Sequence, residues 1–457
     1  MSVVCVTALL FGNFVAGFQK LLNMKKLMLL TLSVALCFAA CKKDDENPTP
    51  DNTTTPTDTT QTTPTIDLNN PNNYQYLKTY IDRTKHPIFK FSGALDVTEF
   101  NKNTNGVRDT AKVNFDEIVA GNAMKYSSCV NANGKMSFNR VRRFVNDASE
   151  AGLTIFGHTL AWHSQQQPSY LLGLMAGTEQ EPLTAEQKHD TLVWAMDQWI
   201  AGIMEATNGY VKAWDVVNEA ISGGGNDGNG NYLLQHSTNP NDDAVVVKSG
   251  NFFWQDYMGD LDYVRTAVAC ARKHFKGNAD ELKLFVNDYN LESDWDNNKK
   301  VKSLIAWIEK WEADGVTKID GIGTQMHISC FENESIQKNI ENHVVNMLEI
   351  MAASGRLCRI SELDMGYVRG NDRWGTALKT SQLTKEEHRK MADFYEFIIK
   401  KYFEIIPVEQ QYGICQWCLT DAPSNSGWRG GEPVGIWTEK FKARKAAYIG
   451  FAKGLSN

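Results

Sequence analysis

Lys212 to Ala220 reads K-A-W-D-V-V-N-E-A, a short apolar run that stops at Asn218 and Glu219. One Asp interrupts the apolar residues, and Gly-rich chain follows from Gly223. Such a run is typical of a buried strand that delivers a polar pair to a loop at its C-terminal end. In α/β proteins the catalytic residues commonly lie at the C-terminal ends of strands, where loops begin. Glu219 is therefore the first candidate catalytic residue.

Seven further runs of strand length occur along the chain, with helix-period segments between most of them. The eight predicted strands are Ile88–Val97, Glu117–Gly121, Thr154–Gly157, Val211–Val217, Lys283–Val286, Gly321–Gln325, Cys358–Leu363 and Tyr412–Leu419. Amphipathic periodicity predicts helices around residues 261–271, 301–311, 340–351 and 391–399. This alternation predicts an α/β fold, a (β/α)8 TIM barrel in a single catalytic domain. The alternative, an open doubly wound sheet, would need a phosphate loop, and the sequence has no G-x-G-x-x-G after its first strand.

The N-terminal segment has the features of an exported protein. Lys25 and Lys26 precede an apolar run over 27–40 that is too short for a membrane span of about 20 residues and ends at Cys41. The residues before Cys41 resemble a bacterial lipobox, so we predict lipidation of this cysteine, with an ordinary cleaved signal peptide as the alternative. The acidic cluster behind it resembles the surface-export signal of outer-membrane lipoproteins. We therefore expect an outer-membrane lipoprotein exposed at the cell surface, with secretion as the alternative.

These features divide the chain into three predicted regions. Residues 1–41 form the signal region, of which 1–23 are not translated if Met24 is the start. Residues 42–69 are rich in Thr, Pro, Asn and Asp and predict a disordered tether, because they offer little apolar surface to bury. Residues 70–457 form the predicted barrel domain.

The composition is that of a globular protein and excludes some classes of function. Of 457 residues, 42% are hydrophobic and 22% charged, and the net charge is −7 with no basic stripe, so a nucleic-acid partner is not expected. The nine cysteines do not form a dense disulfide framework. Cys415-Gln-Trp-Cys418 is formally CxxC, but positions i and i+3 of a strand face opposite ways, which favours small buried residues over a metal or redox pair.

Most of the predicted strands run into polar or aromatic side chains at their C-terminal ends, which form one rim in a barrel. These residues are Asn122 and Lys125 after the second strand, His158, Trp162, His163 and Gln165 at the third, Asn218 and Glu219 at the fourth, Asn287, Asp288 and Tyr289 at the fifth, Gln325 and His327 at the sixth, Glu362 and Asp364 at the seventh, and Trp417 and Asp421 at the eighth. One polar residue at a strand end is commonly structural. Seven groups on one rim predict a functional site.

Two glutamates, Glu219 and Glu362, face one cleft in this arrangement. Glycoside hydrolysis needs a carboxylic acid that protonates the leaving oxygen and a carboxylate opposite it, and aromatic side chains suit stacking on sugar rings. A metal site on His327 and its neighbouring carboxylates is the rival, but His158 and His163 lack the spacing of H-E-x-x-H. A serine triad lacks its G-x-S-x-G motif. We therefore predict glycan hydrolysis with no metal and no other cofactor.

Five motifs in order, W-D-V-V-N-E-A, G-H-T-L-A-W-H-S-Q, N-D-Y-N, G-I-G-T-Q-M-H and S-E-L-D, together resemble glycoside hydrolase family 10, the retaining endo-β-1,4-xylanases. The resemblance covers roughly residues 75–455. It implies that Glu219 is the acid/base and Glu362 the nucleophile, with carboxyl groups about 5–5.5 Å apart. It implies substrate contacts at Asn122, Lys125, His158, Trp162, Gln165, Asn218, Gln325, His327, Trp417 and Trp428, and supporting positions behind them at Asp215, Tyr289 and Asp364.

The roles implied for the two glutamates lead to expectations about their protonation states and about the residues around them. Two carboxylates this close cannot comfortably both ionise, so we expect a raised pKa for Glu219 and an ionised Glu362. Gln325 and His327 are expected near the nucleophile, and Asp364 is expected to orient His327. The implied partner is xylan or a xylooligosaccharide, and we expect a monomer. A hydrolase of another β-glycan, such as a mixed-linkage glucan, and a non-catalytic glycan-binding lipoprotein are the alternatives.

The sequence departs from the pattern of the family at three places. Gly121 stands where the family usually has Glu, and Tyr126 where it usually has Trp, so substrate preference at the second glycone subsite is open. The segment from Asp421 to Trp428 is longer than the family's D-x-x-S-W spacing. Gly223 to Asp243 is a Gly/Asn-rich loop beside Glu219, for which we favour a solvated insertion over a lid.

Overall fold

The computed structural model describes residue 67 and residues 69–456. The predicted signal region over 1–41, with the lipidation site Cys41, lies outside these residues, as does nearly all of the predicted tether over 42–69. Among the residues described, none of the helices has the length and hydropathy that crossing a bilayer requires.

Eight parallel strands close into a barrel, as the sequence predicts. Each pairs in parallel with the next along the chain, except that a short strand, β7, is passed over and β6 pairs with β8. The last strand pairs with both β8 and β1 and so closes the ring. The strands are β1 Lys90–Leu95, β2 Glu117–Ala120, β3 Thr154–Ala161, β4 Ala213–Asn218, β5 Lys283–Tyr289, β6 Gly321–Gln325, β7 His327–Phe331, β8 Leu357–Val368 and β9 Gln411–Gln416.

Strand β7 was not among the eight predicted strands. It pairs with the C-terminal part of β8, where His327 lies opposite Asp364 and Phe331 opposite Val368. We predicted that the seventh barrel strand ends at Leu363, whereas β8 continues past the barrel because β7 gives its extension a partner for its backbone groups. The extension places His327 and Asp364 side by side.

Helices surround the barrel and bury their apolar faces against it. The four amphipathic segments predicted from the sequence correspond to α9 to α12 of the list below, and two short helices follow β1. The α-helices are α1 Val97–Lys102, α2 Val107–Asn114, α3 Tyr126–Cys129, α4 Asn139–Ala151, α5 Pro168–Leu174, α6 Ala185–Thr207, α7 Asp243–Ser249, α8 Gln255–Met258, α9 Asp262–His274, α10 Lys299–Glu312, α11 Glu334–Ala353, α12 Lys385–Ile405 and α13 Ala446–Leu455.

The interior of the barrel is a packed layer of side chains that closes it beneath the rim. Phe156, Phe285 and Tyr412 contact one another edge to face, with ring centroids 4.8–5.7 Å apart. The guanidinium of Arg359 is fully buried and lies 3.8 Å from the centroid of the Phe156 ring. Cys415 belongs to the same layer and its thiol is free, as is that of Cys418. This layer leaves the C-terminal rim as the open end of the barrel.

The glycine-rich loop after β4, residues 223–243, is mostly exposed, as expected of a solvated insertion, and side-chain contacts attach it to α10. The indole of Trp307 on α10 donates a hydrogen bond to the carbonyl of Tyr232, 2.8 Å away. The ammonium of Lys310, on the same helix, pairs with Asp227 at 2.5 Å. The glycines of the loop are largely exposed, but these contacts attach it to α10.

Candidate active site

The backbone turns sharply where β4 ends and presents Glu219 at the rim. Glu219 has a φ of +57°, in the left-handed region that few non-glycine residues adopt. Its N–H donates to the carbonyl of Asn287 at 2.7 Å, and its carbonyl accepts a hydrogen bond from the amide of Gln235 at 2.9 Å. A bond on each side of the residue therefore holds a conformation that would be unfavourable alone.

A network of three amides joins the two glutamates. Gln325 Nε2 donates to Glu219 Oε1 and to Asn218 Oδ1, each at 3.0 Å. Asn287 Nδ2 donates to the same Asn218 oxygen at 2.9 Å and to Glu362 Oε1 at 3.1 Å. Gln325, which we expected near the nucleophile, bonds directly to Glu219 and is linked to Glu362 through Asn218 and Asn287. Asn218 accepts a hydrogen bond from each of the other two amides, and these in turn bond to Glu219 and Glu362. The network therefore fixes the positions of the two carboxyl groups relative to each other.

The surroundings of Glu219 favour its protonated form. Burial raises the pKa of this carboxyl group, and the negative charges of Asp288 and Glu362 raise it further. Trp162 Nε1 donates to Glu219 Oε2 at 3.0 Å and partly offsets this. His163 lies 4.0 Å from the same oxygen, but burial lowers its pKa to about 4, so it stands there as a neutral ring. The raised pKa agrees with the expectation for an acid.

The surroundings of Glu362, unlike those of Glu219, favour the ionised carboxylate. Burial alone would raise its pKa, but the hydrogen bond from His327, the nearby His158 and the positive charges of His327 and Lys125 outweigh burial and lower it. His327 Nε2 is 3.2 Å from Glu362 Oε2. Two linked carboxyl groups with opposite pKa shifts are the arrangement that separates an acid from an anion within one site.

A buried ion pair supports His327 from behind. Asp364 Oδ2 lies 3.0 Å from His327 Nδ1, and the charges and hydrogen bonds of Asp364 and Glu362 together outweigh burial and raise the pKa of His327 to about 10. Arg429 Nη1 donates to Asp364 Oδ1 at 2.6 Å, and Trp428 Nε1 donates to its other oxygen at 2.9 Å. Burial would raise the pKa of Asp364, but its charged neighbours lower it to about 2. His327 is therefore held as a cation that faces Glu362.

The residues expected to bind the glycone side lie together at the ends of β2 and β3. The ammonium of Lys125 is 4.8 Å from the ring centroid of Trp162 and 6.0 Å from that of Trp417. Gln165 Nε2 donates to Asn122 Oδ1 at 3.2 Å. A cavity of about 500 Å³ opens beside them, and its lining includes Gly121, Asn122, Lys125, Trp417 and Trp428.

Two of the predicted supporting residues lie at different parts of the rim, Asp215 on β4 and Tyr289 at the end of β5. Asp215 Oδ2 is 2.8 Å from Nδ1 of the buried His158, whose ring meets Trp417 edge-on at 5.5 Å. Tyr289 packs its ring 3.3 Å from the ammonium of Lys300, a neighbour of Asp288. The structure thus gathers the predicted catalytic, substrate-binding and supporting residues at the C-terminal end of the barrel, on its strands, on β7 and on the loops that follow them.

The sequence of residues 81–453 matches the family model of Glycosyl hydrolase family 10. The chain belongs to this family. The match includes every residue of the site described above and spans the whole barrel, so the family-10 resemblance of the five sequence motifs is confirmed.

Two curated relatives of this family-10 chain are longer proteins. It is 30% identical over 355 residues to endo-beta-1,4-xylanase Xyn10C of Cellvibrio japonicus, covering 77% of this chain and 51% of that protein. It is 29% identical over 351 residues to endo-1,4-beta-xylanase C of Paenibacillus barcinonensis, covering 75% of this chain and 27% of the relative. The chain therefore spans about half or less of the length of these two relatives.

Solved structures of family 10 share the fold. A family-10 protein from Paenibacillus barcinonensis superposes with a TM-score of 0.62 at 25% identity, covering 81% of this chain and 96% of that one. A mutant of xylanase 10C from Cellvibrio japonicus in complex with xylopentaose superposes with a TM-score of 0.61 at 26% identity, covering 85% of this chain and 70% of that one.

Three residues of this family-10 site were given no role from the sequence. Asn287 begins the N-D-Y-N motif at a strand end, so a signal for it was present. His163 belongs to one of the sequence motifs, but the sequence did not indicate that its ring is buried and neutral. Arg429 carried no signal, because it reaches Asp364 from a loop 65 positions away in the chain.

Proposed function

We propose that this family-10 protein is an endo-β-1,4-xylanase that hydrolyses xylan with retention of configuration. Glu219 is the acid/base and Glu362 the nucleophile. The observation that carries this proposal is the pair of opposite pKa shifts on two carboxyl groups joined by one amide network. The names of the relatives, and the complex of one of them with xylopentaose, support xylan as the substrate.

Each step of the reaction uses a group whose charge the site sets. The Glu362 carboxylate attacks the anomeric carbon, while protonated Glu219 gives its proton to the leaving glycosidic oxygen as the bond breaks. Glu362 is then an ester and carries no charge, so one cause of the raised Glu219 pKa disappears. Glu219, now ionised, takes a proton from water as the water oxygen attacks the anomeric carbon. Glu362 leaves as a carboxylate and Glu219 is again protonated.

Product analysis on three polysaccharides tests the proposal. We expect internal cleavage of arabinoxylan and glucuronoxylan to short xylooligosaccharides, with the β-anomer appearing first in the proton NMR spectrum. Mixed-linkage glucan is the comparison substrate. Faster cleavage of the glucan would favour the other β-glycan activity, and binding of xylan without any cleavage would favour the non-catalytic alternative.

Gly121 offers a test of the glycone side. A Cβ built at this position meets only the Leu95 carbonyl, at 3.5 Å, so a side chain can enter the cavity beside Asn122 and Lys125. We expect Gly121→Glu to bind undecorated xylooligosaccharides about tenfold tighter or more, because a hydrogen bond to a charged group contributes about 1.5–3 kcal/mol. We also expect lower activity on decorated xylan, since the added side chain takes up part of the cavity.

The measurement for Gly121 is calorimetric affinity for linear xylooligosaccharides together with kcat/KM on arabinoxylan fragments. Gly121→Ala is the matched control, because it adds the Cβ without the carboxylate. A folded glutamate variant that changes neither quantity relative to the alanine variant would show that Gly121 does not set this preference.

We propose, from the sequence alone, that Cys41 is lipidated and anchors the protein to the outer membrane with its barrel domain outside the cell. We expect Cys41→Ala to release the protein from the outer membrane or to mislocalise it, without lowering the kcat/KM of the purified protein. Fractionation of cells and protease accessibility on intact cells measure the two parts of this prediction. Unchanged membrane partitioning of the variant would contradict lipidation at this cysteine.

A further inference from the structure

Two exposed tryptophans stand at the rim, outside the site described above. Trp295, in the loop after β5, is 52% exposed, and Trp374, in the loop after β8, is 70% exposed. Their ring centroids are 5.6 Å apart, with the ring planes 48° to each other. Single exposed apolar residues are ordinary, but two adjacent indoles from different loops form a patch of the kind that marks a binding surface.

The two indoles are held in place by the residues between them. The guanidinium of Arg373 lies 5.3 Å from the ring centroid of Trp295 and 5.0 Å from that of Trp374. Arg373 also forms an ion pair with Asp294, and Asn339 Nδ2 donates to the same carboxylate at 2.6 Å. These contacts tie the two loops to each other and to α11. A ligand would therefore meet rings that are already ordered, which lowers the entropy cost of binding.

The pair stands across the barrel from the glycone residues. In the ring of eight strands β6 lies opposite β2, and β5 and β8 are the two neighbours of β6. Asn122 and Lys125 follow β2, whereas the tryptophans follow β5 and β8. A polysaccharide that starts in the cavity beside Lys125 and crosses Glu219 and Glu362 leaves the site through the sector in which this pair stands.

We propose that Trp295 and Trp374 form a platform that binds the leaving side of a β-1,4-linked xylan chain, beyond the bond that is cleaved. This inference rests on the proposed function. A xylopyranose ring is uncharged and presents C–H groups on both faces, which suits contact with an indole face. The charge of Arg373 is already paired with Asp294, so the platform offers no free cation that would select an anionic ligand.

The platform acts on long chains only. A substrate with a small aryl leaving group fills the glycone side and ends just past the cleaved bond, so it gains nothing from the pair. A polymer gains the contact equally in the bound state and in the transition state, and such uniform binding lowers KM without changing kcat. The signature of the platform is therefore a change in KM that depends on chain length.

The test compares Trp295→Ala/Trp374→Ala with the wild-type protein on two substrates. We expect kcat/KM on soluble xylan to fall about tenfold through KM, which corresponds to about 1.4 kcal/mol of lost binding free energy. We expect kcat/KM on an aryl β-xylobioside to stay unchanged. Trp194→Ala is the matched control, because Trp194 is 53% exposed but lies on α6, outside the rim, and should leave both values unchanged. If the double variant does not fold, Trp374→Ala alone should give a smaller rise in KM on xylan.

Binding without turnover separates this inference from the proposed function. In a Glu362→Gln background, we expect the double substitution to weaken retardation of the protein in xylan-containing native gels. If the parent Glu362→Gln protein is itself not retarded and the wild-type protein does not cleave xylan, the proposed function is wrong. If the parent is retarded and the double substitution changes nothing, the platform alone is overturned. An equal loss on the aryl substrate, or a dimer that the substitutions dissociate in sedimentation, would also overturn it.

Discussion

Replacing Glu362 by Gln should lower kcat/KM on xylan by about 100,000-fold, the scale on which loss of an enzyme nucleophile acts. The amide keeps the volume of the side chain but cannot form the glycosyl ester. It also removes the anion that faces the His327 cation and accepts the hydrogen bond from Asn287. Steady-state kinetics on soluble xylan measure the loss, and circular dichroism with a melting curve shows whether the variant is folded.

Covalent labelling identifies the nucleophile independently of that loss. A 2-fluoro xylobioside with a good leaving group should inactivate the wild-type protein and leave its sugar on the peptide that contains Glu362. The Glu362→Gln variant, treated in the same way, is the control and should stay unlabelled. A label on another residue, or an inverted product, would contradict the assignment.

Replacing Glu219 by Ala should produce a loss that depends on the leaving group. On xylan, where the leaving oxygen needs a proton, we expect kcat/KM to fall by about 100- to 10,000-fold, the usual contribution of general acid–base catalysis. On a dinitrophenyl xylobioside, which leaves without a proton, the first step should be nearly unchanged and the glycosyl ester should accumulate. Azide, which needs no general base, should then restore turnover and give a β-glycosyl azide. Equal losses on both substrates without rescue by azide would show that Glu219 is not the acid/base.

The two pKa shifts fix the pH profile of the wild-type protein. Glu219 must carry its proton in the first step, so kcat/KM falls as the pH rises through its raised pKa. Glu362 must be ionised, so kcat/KM falls as the pH drops through its lowered pKa. The two pKa shifts move the acid and alkaline limbs of the pH profile apart. The pH range over which kcat/KM is maximal should therefore be wider than for two glutamates with unshifted pKa values. In Glu219→Ala, on the dinitrophenyl substrate, the alkaline limb due to Glu219 should be absent.

The barrel could be predicted because its signals are local. A parallel strand buried on both faces reads as a short apolar run, and the polar residue at its end marks the rim. Strand β7 was missed because it pairs with the C-terminal extension of β8. The apolar run of β8 is interrupted by Glu362 and Asp364, so the sequence did not indicate that the strand continues beyond them. A polar site residue inside a strand looks like the end of that strand when only the sequence is read.

The site could be predicted as a set of residues but only partly as a set of contacts. The motifs name Glu219, Glu362 and the side chains around them. They do not show that Gln325 bonds to Glu219, because the choice between two neighbouring carboxyl groups depends on rotamers and on the other amides in the network. Arg429 and the paired tryptophans carry no periodic signal, since each depends on two loops that meet only after folding.

The attachment of the loop after β4 to α10 has a consequence for how this protein would lose activity on heating. Its amide at Gln235 holds the carbonyl of Glu219, and its Asp227 is anchored to α10 by Lys310. Local opening of a glycine-rich surface segment costs less free energy than melting of a whole barrel. Once the anchor opens, Glu219 loses one of the two hydrogen bonds that hold its left-handed conformation, and the proton donor is more easily displaced. Inactivation would then precede the calorimetric transition, and the loop, rather than the barrel, would set the working temperature.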